Sequence, residues 1–249
     1  MGRLTEAIKH LIILNVIIFA AANYLPGLDL YEYLSLYFPK NEHFGVWQFV
    51  SHMFMHGGMM HIIFNMYALW AFGSPLEQMW GRNKFLFFYF SAGLGAAFIY
   101  TGVNYFQFNN IYNELINLGM QSDSINNLLT TGRYNSDILT QISENKLTNF
   151  YQIYNTPAVG ASGAIYGVLV AFGMSFPNAK LALIFFPVPI AAKYFIPVLI
   201  GIDLFLGLTG RSLFGSSGVG VAHFAHIGGA IIGFIMMKYW KGNQFNRWN

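Results

Sequence analysis

The sequence predicts an all-α membrane protein, a single domain built as a bundle of six transmembrane helices. Three observations lead there. First, 55% of the 249 residues are hydrophobic and only 9% are charged, where a soluble domain has about a quarter of its residues charged. The mean hydropathy of +0.45 agrees. Second, the apolar residues gather in runs near the roughly 20 residues that a helix needs to cross a bilayer, and the length accommodates about six of them. Third, 18% of residues are aromatic, which suits lipid-facing surface and the two interfacial belts. The net charge of +3 comes with no basic cluster, so it speaks for membrane topology and against nucleic acid as a partner. With no cysteine there is no disulfide, no thiolate metal ligand and no thiol nucleophile.

Taken in order, the first span covers about residues 8–25 and ends at Pro26-Gly27. Arg3 and Lys9 before an apolar run resemble a signal peptide, but Ala20-Ala21-Ala22-Asn23 is a poor cleavage site and the run is expected to be kept. Residues 26–50 carry Tyr31, Tyr33, Tyr37, Phe38, Phe44 and Trp47, a loop expected to lie in the membrane interface. The second and third spans are expected at 56–73 and 84–106. Residues 107–155 turn rich in Asn and Ser and read as a polar extracytoplasmic insertion, helical around Ile138–Lys146 and the most mobile part of the chain. The fourth span covers 160–176. Pro187 and Pro189 break the next stretch into an interfacial turn, and the last two spans are placed at 194–208 and 220–240, joined by a Gly/Ser loop. With the N-terminus cytoplasmic, nine Lys and Arg residues lie inside and four outside, as the positive-inside rule requires. Ser162 then sits near the outer end of span 4.

Within these spans stand polar residues that lipid does not tolerate without a purpose. Gly160-Ala161-Ser162-Gly163 opens span 4. Small residues there allow close helix packing, and a serine among them is equally placed to act as a nucleophile with room for a substrate carbonyl. Span 2 carries His56, then His61 and Asn65 four residues apart on one helical face. Span 6 carries His223 and His226, with His226 on the same stripe as Gly229 and Gly233. If spans 4 and 6 pack through their glycines, His226 reaches the Ser162 hydroxyl. A serine needs a base before it attacks, and neutral imidazole is the usual one near pH 7. The oxyanion then formed needs donors, which the Ser162 N–H at a helix start and the side chains of His61 and Asn65 are able to supply. Packing or interhelical hydrogen bonding accounts for each residue singly, but not for a serine and a histidine that face each other. A metal site built from the histidines lacks a carboxylate at ligand spacing. Asp203, in span 5, has no evident partner in the sequence.

The combination of Gly160-Ala161-Ser162-Gly163 with Tyr166, His56-x4-His61-x3-Asn65, and Ala225-His226-x2-Gly229-x3-Gly233 resembles the rhomboid family of intramembrane serine proteases, across all six spans. The resemblance implies a catalytic dyad of Ser162 and His226 with no aspartate, and an oxyanion hole of His61, Asn65 and the Ser162 N–H. It also implies that Tyr166 stacks on His226, that His56 supports the outer end of span 2, and that Glu77 and Gly81 are structural residues at its cytoplasmic end. Gly160, Gly163, Gly229 and Gly233 take supporting places. The implied substrates are transmembrane segments of other membrane proteins, cut beside small residues. No cofactor and no metal are implied, the partners being substrate and membrane lipid, with the oligomeric state open. The implied setting is a bacterial inner membrane, multi-pass, with both termini cytoplasmic. The family often has Trp-Arg in the first loop, where this chain has Trp47-Gln48. A rhomboid-like scaffold without activity would lack the serine or the histidine, and a small transporter would show inverted repeats or paired broken spans. The sequence has neither signature.

Overall fold

A computed structural model describes residues 3–25, 27–183, 186–209 and 221–245. The protein is a helical membrane bundle whose helices turn large apolar side chains outward. Ile17, Phe98, Phe106, Val198, Leu208 and Phe234 are all exposed, which in water would be a liability and in lipid is the expected surface. Helix α1 covers Glu6–Tyr24, and the short α2 (Leu30–Leu34) and α3 (Gln48–Ser51) lie in the first loop. A second helical segment then runs without a break through α4 (Met59–Ala68), a π turn (Leu69–Gly73) and α5 (Ser74–Trp80). Among the described residues, three helices are long and apolar enough to cross a membrane: α1, α6 (Arg82–Asn117) and α10 (Ala192–Thr209). The shorter α9 (Ser162–Ser175) and the longer α11 (Val221–Phe245) complete the bundle.

Helix α9 is its axis. Apart from Tyr166, every residue from Gly163 to Phe172 is buried, because α6 and α11 close over it. That closeness depends on glycine and alanine. A Cβ on Gly229 would stand 1.8 Å from the Gly163 carbonyl oxygen, and one on Gly233 would stand 2.7 Å from the Gly167 Cα. On the other side, Ala92 and Ala96 of α6 meet Gly167 and Gly163. In lipid, where apolar burial gives no net drive between helices, such van der Waals contact is the main cohesive term. At the end of the bundle where α1 begins, the Glu77 carboxylate, buried, accepts from the Thr5 hydroxyl and from the N–H groups of Ala7 (2.8 Å) and Ile8 (3.1 Å). It satisfies the otherwise open N-terminus of α1 from a neighbouring helix.

Three segments differ from the sequence reading. The second span does not stop at Gly73: directly after the π turn the helix goes on through Pro75 to Trp80. Helix α6 does not stop near Phe106 but continues to Asn117. At 1.5 Å per residue its 36 residues reach about 54 Å, well beyond a hydrocarbon core of about 30 Å. The projecting turns carry Phe108, Ile111 and Leu115, on which α7 (Ser122–Thr131) and α8 (Glu144–Asn155) pack through Ile125, Leu128, Leu147, Phe150 and Ile153. Residues 107–155 are therefore a helical cap with its own apolar core, and Ile138 falls in a 3-10 turn (Ser136–Thr140). Polar residues dominate the composition because they cover the outer face of a small helical unit. The proline-broken stretch after α9 is a β-hairpin, β1 (Lys180–Leu183) against β2 (Phe186–Ala191), antiparallel with Lys180 opposite Ala191. Pro187 and Pro189 sit in an edge strand, where a missing donor is tolerated. The loop at 209–219, Arg211 included, falls almost wholly outside the described residues, as does Arg247.

The first loop is held by Gln48, which is fully buried. Its amide donates to the carbonyl oxygens of His43 (2.8 Å) and Tyr33 (3.3 Å), and its Oε1 accepts from the Tyr37 N–H (3.1 Å). The glutamine thus ties three points of the loop together without a charge.

Candidate active site

The chain enters α9 through a guided approach. Leu36 and Ala158 pair backbone to backbone in both directions, at 2.9 and 2.8 Å, and the Gly160 N–H donates to the His52 carbonyl oxygen at 2.9 Å. Gly160 itself has φ +118, a left-handed conformation that favours glycine. A Cβ there would also meet His61 Nε2 at 2.8 Å. Both the turn and the approach of an imidazole require glycine at this position. Immediately after Ala161, Ser162 begins α9, so its N–H is one of the donors that no carbonyl within the helix reaches.

From α11, His226 faces this serine. Its Nε2 lies 2.8 Å from Ser162 Oγ, hydrogen-bond distance between a nucleophile and a base. The Tyr166 ring, one turn into α9, lies flat against the imidazole, with centroids 4.3 Å apart and planes 8° from parallel. The glycine contacts between α9 and α11 make this meeting possible, since His226 and Gly229 share one face of α11. A cavity of about 210 Å³ opens beside the pair, lined among others by His61, Gly160, Ser162, Gly163 and His226.

His61 reaches the cavity from α4. The Gly57 N–H faces its Nδ1 at 3.4 Å, which suits the tautomer with the ring proton on Nε2. The nitrogen facing Gly160 is then a donor. His56 is buried and meets the His61 ring edge-on, with centroids 5.0 Å apart. Asn65, like His56, Tyr166, Gly229 and Gly233, is not among the residues that line the cavity. It is buried, and its amide donates to the His61 carbonyl oxygen on its own helix, at 2.9 Å.

A residue without an evident partner in the sequence gathers three in the fold. The Asp203 carboxylate, on α10, accepts from the Tyr166 hydroxyl through Oδ2, and its Oδ1 faces Nδ1 of His223 at 2.5 Å and Nδ1 of His226 at 3.4 Å. The aspartate that the family resemblance leaves out therefore stands behind the histidine. A carboxylate does accompany the histidines: Asp203, His223 and His226 bring potential ligand atoms within 4.8 Å of one another among the described residues. Both imidazole Nδ1 atoms face one carboxylate oxygen. Asp203 is 23 residues from His226 and on another helix, so no spacing rule in the sequence links the two.

The model of the Rhomboid domain family matches residues 43–108 and 134–241, which takes in every site residue named above. The chain belongs to the rhomboid family. Among its relatives is the presenilin-associated rhomboid-like protein of human mitochondria, 27% identical over 198 residues, covering 77% of this chain and 38% of the relative. The rhomboid protease AarA of Providencia stuartii is 27% identical over 203 residues, covering 76% of this chain and 54% of that protein. Rhomboid protein 1 of Saccharomyces cerevisiae mitochondria is 27% identical over 140 residues, 56% of this chain and 28% of the relative. This rhomboid thus spans about four-tenths of the length of its human relative. The gap in the family match, residues 109–133, coincides with the end of α6 and helix α7 of the cap.

Proposed function

We propose that this rhomboid is an intramembrane serine endopeptidase that hydrolyses peptide bonds in transmembrane segments of other membrane proteins. The observation that carries this reading is the 2.8 Å contact between Ser162 Oγ and His226 Nε2 beside a cavity. In the proposed sequence of steps, His226 Nε2 takes the hydroxyl proton as Oγ attacks the scissile carbonyl carbon. The carbonyl oxygen becomes an oxyanion, which accepts from the Ser162 N–H and from His61 Nε2–H. His226 then gives its proton to the leaving amine, and the acyl-enzyme is released when water attacks by the same route in reverse. Asn65 donates one of its two amide N–H groups to the His61 carbonyl, which holds α4 and its histidine and leaves the second N–H free to join the oxyanion donors. Tyr166 supports by stacking and His56 by packing against His61.

A substrate helix has to expose a carbonyl to this serine, and the length of α9 helps. Fourteen residues make about 21 Å of helix against a hydrocarbon core of about 30 Å. Ser162, at one end of so short a helix, lies recessed from the outer surface, where the cavity beside His61 and His226 admits water. The setting proposed is an inner bacterial membrane with both termini cytoplasmic, the named protease relative being bacterial. The test is cleavage of a reporter transmembrane substrate by the protein in detergent or vesicles. Ser162→Ala should abolish cleavage while the protein remains folded, and a fluorophosphonate should label Ser162 only while His226 is intact. Undiminished cleavage by Ser162→Ala would remove the serine from the chemistry.

A further inference from the structure

We propose that Asp203 is a positioning residue for His226, so that this rhomboid works through a serine–histidine–aspartate relay assembled from three helices. The inference rests on the proposed protease reading and adds to it the origin of the histidine's orientation. An imidazole serves as base at Nε2 only when its proton is on Nδ1, and the partner of Nδ1 decides which tautomer is held. The only carboxylate near that nitrogen among the described residues is Asp203, whose Oδ1 lies 3.4 Å away. Distances of this kind are often long before substrate binds and shorten in the reacting complex.

The carboxylate is itself fixed. Asp203 is buried, with 8% of its side chain exposed, and it accepts from Tyr166 on α9 and from His223 on α11. Tyr166 therefore acts twice, once through its ring on His226 and once through its hydroxyl on the residue behind His226. A carboxylate in a membrane helix is expensive unless paired, and glue between helices would explain Asp203 by itself. Glue does not require that one of the bonded groups be the nitrogen opposite the catalytic one. When His226 takes the serine proton it becomes an imidazolium, and the carboxylate then faces a full positive charge. Asp203 neither gives nor takes a proton in this scheme. It holds the Nδ1–H tautomer and favours the charged state that forms during attack, the division of labour known for the buried aspartate of soluble serine proteases.

The experiment compares Ser162→Ala, Asp203→Asn, Asp203→Glu and Tyr166→Phe in vesicles, reading kcat and KM on a reporter transmembrane substrate and thermal unfolding on the same preparations. Asp203→Asn should lower kcat by about 10²–10³-fold, less than the roughly 10⁴-fold loss seen for such a change in a soluble triad, with KM within about threefold. Labelling of Ser162 by a fluorophosphonate should slow in parallel. Asp203→Glu should recover at least about tenfold of the kcat lost, because it restores a carboxylate. Tyr166→Phe keeps the stacked ring and should cost about 3–10-fold in kcat, and it stands in for Asp203→Asn if that variant does not fold. If Ser162→Ala is dead while a folded Asp203→Asn keeps its kcat within threefold, the relay is wrong and the protease reading stands. A full kcat in Tyr166→Phe, where Asp203→Asn is unfolded, overturns the relay likewise. Cleavage by Ser162→Ala overturns the protease reading and the relay with it.

Discussion

Gly229→Ala is the sharpest perturbation of the packing that holds the site together. The added methyl would lie 1.8 Å from the Gly163 carbonyl oxygen, where real Cβ atoms keep at least 3.0 Å, so α11 and α9 must part by about 1.2 Å. The obstacle is backbone on a buried helix, so no side chain is able to swing aside. If only half of that movement falls along the line from His226 to Ser162, the 2.8 Å contact lengthens to about 3.4 Å, the edge of hydrogen bonding. All of it takes the pair to about 4 Å. Misplacement of reacting groups by about 1 Å costs about 100-fold in rate, which sets the expected fall in kcat/KM. Overpacking costs about 1–3 kcal/mol of stability, against which alanine recovers about 0.5–1 kcal/mol by its better helix propensity. The loss in activity should therefore exceed what the loss in stability explains. Gly201→Ala on α10 is the matched control, because a Cβ there meets nothing within 4 Å, and it should leave cleavage unchanged. Both variants are measured for reporter cleavage and for thermal unfolding in one detergent. A folded Gly229→Ala with kcat/KM within threefold of the parent would refute the view that glycine contact sets the Ser162–His226 distance.

Other changes test other parts of the structure. Glu77→Ala removes the acceptor of three bonds at the start of α1 and should destabilise the protein by about 2–3 kcal/mol, read by thermal unfolding, since bonds to charged groups contribute about 1.5–3 kcal/mol. Gln48→Leu leaves the His43 carbonyl and the Tyr37 N–H without their partner, while the Tyr33 carbonyl keeps the Trp47 indole N–H, and should cost at least about 2 kcal/mol. Protease nicking between residues 30 and 50 would report it. Phe150→Ala empties a fully buried place in the cap and should cost about 3–5 kcal/mol of local stability. Faster hydrogen exchange in α7 and α8, with α9 and α11 unchanged, would show that the cap core is separate from the bundle core.

The helical class and the apolar bundle are legible in the sequence because lipid imposes them on composition and run length. The ends of the elements are less so. Helix α6 overshoots because it runs through Gly93, Gly95 and Gly102 without a turn and ends only before Gly119, whose φ is +85. The cap reads as a polar insertion because hydropathy averages hide a sparse apolar set. Ile125, Leu128 and Leu129 fall three and four apart on α7, which is enough for one buried face. For the hairpin of β1 and β2, the partner strand has to be known before its prolines can be placed at an edge.

The site divides in the same way. Ser162 and His226 come together from sequence because each lies on a stripe of small residues, and only one helix pairing lets both stripes touch. His61 and Gly160 need a contact that crosses from α4 to the turn before α9, yet the residue types alone hint at it. Asp203 carries no such mark. It stands in a helix that contains Pro197, with Gly201 on an exposed face, and nothing in its spacing distinguishes an aspartate that faces a cavity from one that faces its neighbours. What identifies it is a convergence of three donors from two other helices, and convergence is a property of the folded chain. A charged residue in a membrane helix is a signal that the fold must hold a partner for it. Sequence reading registers the signal, and packing alone names the partner, which in this protein includes the back of the histidine that faces Ser162.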